Sequence, residues 1–93
     1  MMVDDRRVLQ LYVRLTPRQR EVLQLVSKGL SNQEAADWLC IAPCVVAGHL
    51  TNIYAEMATL QELKGVRPKR YTAISVFQEF FRCHPELDNF RSS

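Results

Sequence analysis

At 93 residues the chain is sized for one domain with a modest helical core and leaves no room for a second sensory module. Its 47% apolar and 24% charged residues exclude a disordered chain. With 12 basic and 10 acidic side chains, the net charge of +2 permits nucleic-acid binding without arguing for it, because dedicated DNA binders carry a clear basic excess.

The first residues, MMVDDRRVLQ, lack the apolar run of a signal peptide, and no stretch approaches the ~20 apolar residues that span a bilayer. A cytoplasmic protein is expected, with no membrane partner and with Cys40, Cys44 and Cys83 as thiols. Val8, Leu9, Leu11, Tyr12 and Leu15 then suggest a short helix from about Val3 to Val13. The next helix is strongly punctuated. Thr16 suits the N-cap, Pro17 the first helical position, and Gln19 completes a capping box. Val22, Leu23, Val26 and Leu30 follow at core spacing, and Gly29 reads as the stop. A second box, Ser31 with Glu34, opens another helix whose inner face is Ala35, Ala36 and Leu39. These small side chains allow a neighbouring helix to approach closely.

Ile41-Ala42-Pro43 is the turn into the next helix. Its buried stripe is Val46, Leu50, Ile53 and Met57, and Leu60 leaves open whether the helix runs on toward Leu63 or a loop begins. Ala42 at the cap forgoes the ~1 kcal/mol that a Ser or Asp supplies there. After the basic connector Lys64 to Arg70, Pro68 is expected to open a last helix. Ala73, Ile74, Phe77, Phe80 and Phe81 form its apolar side, and His84-Pro85 ends it. The remainder reads as a polar, loose tail, with Leu87 and Phe90 able to fold back onto that helix. The expected architecture is all-α: an N-terminal extension over 1–14, a four-helix unit over 15–84 and a tail over 85–93.

Leu15-Thr16-Pro17-Arg18, Glu21-Val22-Leu23, Gly29, Ser31-Asn32, Glu34, Ala36, Leu39, Ile41, Val46, His49-Leu50 and Ile53 occur in the order and spacing of one family. Over roughly Leu15 to Phe77 the chain resembles the LuxR-type (NarL/FixJ-type) helix-turn-helix domain of bacterial transcription regulators. The resemblance implies double-stranded DNA as partner, a helix-turn-helix made of the second and third helices of the unit, and a homodimer through the fourth. Ile74, Phe77 and Phe81 would carry the dimer contact. His49 falls on a core position, where a hydrogen-bonded structural role is expected. Gln33 and Ala47 fall on implied phosphate-contact positions that commonly carry basic residues in the family. Several familial phosphate contacts are thus missing, and the linker between Met57 and Arg70 is longer than usual.

With Val46, Leu50, Ile53 and Met57 buried, the opposite side of the reading helix presents Cys44, Gly48, Thr51 and Ala55, flanked by Ala47 and Asn52. That helix carries no Lys or Arg. Asn52 is suited to a bidentate contact with adenine and Thr51 to thymine, while the commonest specific contact, Arg to guanine, is missing. Base readout should be weak. Lys64, Arg67, Lys69 and Arg70 are the candidate phosphate contacts, with Arg14, Arg18 and Arg20 as a second basic group. A solvated connector is the plainer reading of the first set.

The cysteines and histidines have poor spacing for zinc, so no metal and no cofactor is expected. Cys44, in the first turn of its helix, and Cys83 are candidates for redox control, as in the thiol-responsive cyanobacterial regulators this chain broadly resembles; three ordinary cysteines are the plainer reading. Trp38 either covers the edge of a small core or anchors a partner. No catalytic constellation appears, and an enzyme is not expected. The leading expectation is a stand-alone DNA-binding regulator. The alternative is a helix-turn-helix turned to protein contact, with RNA polymerase or another regulator as partner.

Overall fold

The computed structural model describes residues 4–60, 63, 65 and 67–90. Among them are five α-helices and no strand: α1 Asp5–Arg14, α2 Pro17–Ser27, α3 Asn32–Leu39, α4 Pro43–Met57 and α5 Arg70–Cys83. A 3-10 turn at Pro85–Leu87 follows. The all-helical class and the helix order are those expected. No single helix among the described residues is long and apolar enough to cross a membrane.

Local chemistry sets the helix ends. The Asp4 carboxylate accepts from the Arg6 N–H at 3.0 Å, so α1 starts two residues later than the apolar pattern suggested. Thr16 Oγ1 accepts from the Gln19 N–H at 3.2 Å, and Gln19 Oε1 accepts from the Thr16 N–H at 3.0 Å. Ser31 and Glu34 repeat the arrangement at 3.1 and 2.9 Å, and these bonds hold the Glu34 carboxyl below the usual carboxylate range. Gly29, at φ +93°, ends α2. Its N–H reaches the Val26 carbonyl at 2.9 Å and the Leu30 N–H reaches the Leu25 carbonyl at 3.3 Å, which satisfies two orphan acceptors.

One boundary that the sequence leaves open is fixed by the structure, and another differs from expectation. α4 stops at Met57: Thr59 Oγ1 donates to the Glu56 carbonyl at 2.6 Å and the Leu60 N–H to the Met57 carbonyl at 3.0 Å, so Leu60 and Leu63 are buried from a turn, not from a longer helix. α5 opens at Arg70 and not at Pro68. Lys69 is extended, and its N–H donates to Thr72 Oγ1 at 3.2 Å.

Every helix feeds one core. α2 lies at its centre against α3, α4 and α5, and its residues Val22 to Ser27 are buried without interruption. α1 lays Val8, Leu11 and Tyr12 into the same core. The Tyr12 ring meets Phe80 at 5.2 Å and Phe81 at 5.5 Å between centroids. Arg20 closes the end of α1 by donating to the carbonyls of Tyr12 at 3.2 Å and Val13 at 2.9 Å.

The segment after α5 is not the loose tail the composition suggested. Gln24, 1% exposed, donates to Tyr12 Oη at 2.5 Å and to the Leu87 carbonyl at 3.0 Å, and accepts from the Asn89 N–H at 3.0 Å. Asp88 pairs with Lys28. Leu87 is half-buried, and Phe90 lies edge-on to Trp38 at 6.1 Å, on α3 rather than on the fourth helix of the unit.

Two tests follow from this packing. Gln24→Ala strands the Asn89 N–H, leaves the Tyr12 hydroxyl and the Leu87 carbonyl with only their long 3.4 Å contact to each other, and opens a void, so urea unfolding should show a loss of about 2–3 kcal/mol. A loss within a few tenths would mean that the tail docks without Gln24. The second concerns His84, whose Nε2 meets the Asp5 carboxylate at 2.9 and 3.1 Å and whose Nδ1 is 3.6 Å from Glu86. The hydrogen bond to Asp5 raises the His84 pKa above the usual 6.5, against a smaller opposing effect of desolvation. A raised folded pKa gives stability that is complete below about pH 6.5 and fades as pH climbs through the raised value. The stability gap between the native chain and His84→Gln, followed by denaturant midpoint from pH 5 to 9, should therefore narrow with rising pH.

Candidate nucleic-acid interface

α3 and α4 are separated by Cys40, Ile41 and Ala42 and bend through 107°, within the range of helix-turn-helix pairs. Ala35 and Ala36, fully buried, let α4 seat Val46 and Leu50 against α3. The turn is tight enough to place Cys40 at φ +57°, a left-handed conformation that costs a non-glycine residue roughly 1 kcal/mol. The Ile41 N–H recovers the Ala36 carbonyl at 3.0 Å.

The outer side of α4 is composed as its stripe implied. Cys44, Ala47, Gly48, Thr51 and Asn52 are all exposed, and Val45 joins them at the N-terminal end. Thr51 donates its hydroxyl to the Ala47 carbonyl at 3.1 Å, which turns its methyl and oxygen lone pairs outward. Asn52 makes no hydrogen bond with another described residue. Nothing lies within 4 Å of where a Cβ on Gly48 would sit. The surface is small and uncharged, and its surroundings are acidic: from Ser31 to Met57 the chain has Glu34, Asp37 and Glu56 and no Lys or Arg.

The expected phosphate contacts are only partly brought together. Arg67 and Lys69 are exposed beside the start of α5, while Lys64 lies outside the described residues. Arg70 is already engaged. Its guanidinium donates to Asn32 Oδ1 at 2.6 Å and to the Leu30 carbonyl, pinning α5 to the start of α3. Gln33 donates to Asp37 Oδ1 at 2.9 Å. In the second basic group, Arg20 caps α1, Arg18 is 3.5 Å from Glu21, and Arg14 is 3.3 Å from Glu56.

The dimer residues need correction. Phe77 is 0% exposed and Phe81 8%, both inside the aromatic cluster around Tyr12, and Ile74 is half-buried. What α5 offers outward is Tyr71, Ser75, Gln78 and Arg82. Periodicity does not separate the two sets, because so many apolar positions on α5 leave the width of its buried stripe undetermined.

All three cysteines are exposed, with Cys44 on the outer side of α4 and Cys83 Sγ donating to Glu79 Oε1 at 3.9 Å. His49 is half-buried and makes no hydrogen bond with another described residue, contrary to the structural role expected. Among the described residues no group of three His, Cys, Asp or Glu is placed to hold a metal. Trp38 is 66% exposed. The sequence reading gave no sign of the Arg14–Glu56–Thr59 contact, which joins residues 45 positions apart.

Residues 13–63, more than half of the chain, match the family described as bacterial regulatory proteins, luxR family. The chain is 49% identical over 43 residues to proteins of Mycobacterium bovis and Mycobacterium tuberculosis that carry the provisional names HTH-type transcriptional regulator Mb0914c and Rv0890c. That stretch is 46% of this chain and 5% of each of theirs. No solved structure matches the chain significantly.

Gly48→Ala should raise stability by about 0.5–1 kcal/mol, because a methyl there meets open space in mid-helix. Thermal denaturation checks this. If Gly48 serves close approach to a groove, the same variant lowers DNA affinity, so stability and binding move in opposite directions.

Proposed function

Because the chain belongs to the luxR family of bacterial regulatory proteins, we propose that it is a cytoplasmic transcription regulator that lays the outer side of α4 in the major groove of DNA. The family is regulatory rather than catalytic, and no reaction is proposed. The observation that carries the reading is the 107° pair of α3 and α4 with Cys44, Gly48, Thr51 and Asn52 exposed together on α4.

The chemistry of that side sets the mode of reading. Asn52 is the group able to read adenine bidentately, and the Thr51 methyl suits thymine. Gly48 and Ala47 let the backbone come close, so shape and deformability of the DNA carry much of the preference. Arg67 and Lys69, with the first-turn amides of α4, meet phosphates. Arg70 supports this indirectly by holding the start of α5, next to Arg67 and Lys69, against the start of α3. The protein acts as a homodimer through the exposed Tyr71, Ser75 and Gln78 with the half-buried Ile74 beside them, in place of Phe77 and Phe81. The domain occupies residues 15–84, with α1 as an integral support.

A second reading has its own observation. Three carboxylates and no cation between Ser31 and Met57, beside an exposed Trp38, suit a protein partner such as RNA polymerase or another regulator better than a polyanion.

Fluorescence anisotropy of the reduced protein with pooled genomic fragments separates the two. DNA reading predicts fragment-selective binding that survives near-physiological salt, with a log–log slope reflecting only about two to four phosphates. Asn52→Ala should weaken binding to the selected fragments by about 1–3 kcal/mol and leave the slope unchanged. Binding that vanishes on adding salt, with Asn52→Ala indistinguishable from the native chain, would move the reading to the protein partner.

A further inference from the structure

Of the three carboxylates between Ser31 and Met57, only Glu56 lies on α4. Glu34 and Asp37 sit on α3, where they accept from the Ser31 N–H and the Gln33 amide at 2.9 Å each. Among the described residues, Glu56 alone of the three meets a cation. Arg14 Nη2, carried in from the last turn of α1, is 3.3 Å from Glu56 Oε2 and 3.4 Å from Thr59 Oγ1. We propose that Arg14 is a positioning residue for the reading side of α4: it cancels the Glu56 carboxylate beside Asn52 and holds it off the phosphate backbone. The inference rests on the DNA reading above.

Location is what makes this carboxylate matter. Asn52 and Glu56 are four residues apart on α4, so their Cβ atoms are about 5–6 Å from each other. That is well inside the screening length of about 10 Å at roughly 0.1 M salt. A phosphate passing Asn52 would therefore feel an uncompensated charge on Glu56.

The counter-charge is bracketed in place. Thr59 donates its hydroxyl to the Glu56 carbonyl at 2.6 Å, so its oxygen is left to accept from Arg14. With one arm on Thr59 and its charge answered by Glu56, the guanidinium serves α4 as a counter-ion and not as a phosphate contact. Both side chains are half-exposed, so the pair adds little to stability. Its removal changes the field on α4 without undoing the fold.

The test is fluorescence anisotropy of the full chain on the DNA fragments that the native protein selects, at low and near-physiological salt. R14Q should bind about threefold more weakly at low salt, and the deficit should shrink as salt is added. R14Q/E56Q should return to the native affinity with the native salt slope. R14K, which keeps the charge, should also bind like the native chain. R14Q/E86Q restores the same net charge on the turn after α5 and should stay as weak as R14Q. Native affinity in R14Q would overturn the proposal, as would equal recovery in R14Q/E86Q and R14Q/E56Q, or R14K as weak as R14Q. So would an R14Q/E56Q variant that stays weak. A slope shallower by about 0.9 would then make Arg14 a phosphate contact, and an unchanged slope would make its role purely structural. A native chain that selects no fragments fails the DNA reading and the proposal with it, whereas each other adverse outcome fails the proposal alone.

Discussion

The side-chain amide of Gln24 lies inside the most buried helix of the fold. It is joined to Tyr12 Oη, the Leu87 carbonyl and the Asn89 N–H, so α1 and the segment after α5 converge on one polar group of α2. α2 is enclosed by α3, α4 and α5, which puts Gln24 out of reach of water. A buried amide left without partners costs more than most single contacts return. The chain after α5 therefore has to come back over α2, and in doing so it carries Asp88 to Lys28 and Phe90 to Trp38. Tyr12, donating toward the same carbonyl and stacked among Phe77, Phe80 and Phe81, locks α1 into the arrangement. What reads from composition as an extension and a tail is, at the level of packing, two sides of the core.

This explains which parts of the fold were legible in the sequence. Thr16 with Gln19, Ser31 with Glu34, and Gly29 act within three or four residues, so their patterns specify helix ends whatever surrounds them. The stripe of α4 was legible for the same reason, since only one of its sides is covered. Gln24 was not, because a Gln in a helix reads as surface until neighbours are known on all sides. Phe77 and Phe81 were read as spare apolar surface for a partner subunit, yet α1 brings Tyr12 to cover them. The end of α4 was ambiguous because Leu60 continues its spacing, and the side-chain bond from Thr59 to the Glu56 carbonyl belongs to a turn just as well as to a helix.

In the site, residue type was legible and pairing was not. The small, neutral outer side of α4 follows from the sequence alone. The partners of long cationic side chains do not, since Arg70 finds Leu30 and Asn32 some 40 and 38 positions away and Arg14 finds Thr59 45 away. Each of these contacts depends on tertiary placement, and each removes a cation from the pool that composition alone would assign to DNA.

For the proposed DNA reading, the consequence is a separation between where the chain would read and where it would attract. Between Ser31 and Met57 every charged carboxyl or guanidinium position is a carboxylate, so α3 and α4 repel a phosphate backbone weakly and supply only amide donors and Asn52. On the proposed DNA reading, attraction has to come from the flank, where Arg67 and Lys69 are exposed beside the start of α5. On that reading, cations carried beside α5 and an amide reader carried on α4 would together select the path of the backbone as well as its charge. A reader with few base contacts gains its discrimination in this way, from how readily a given DNA sequence adopts the path that the flanks impose.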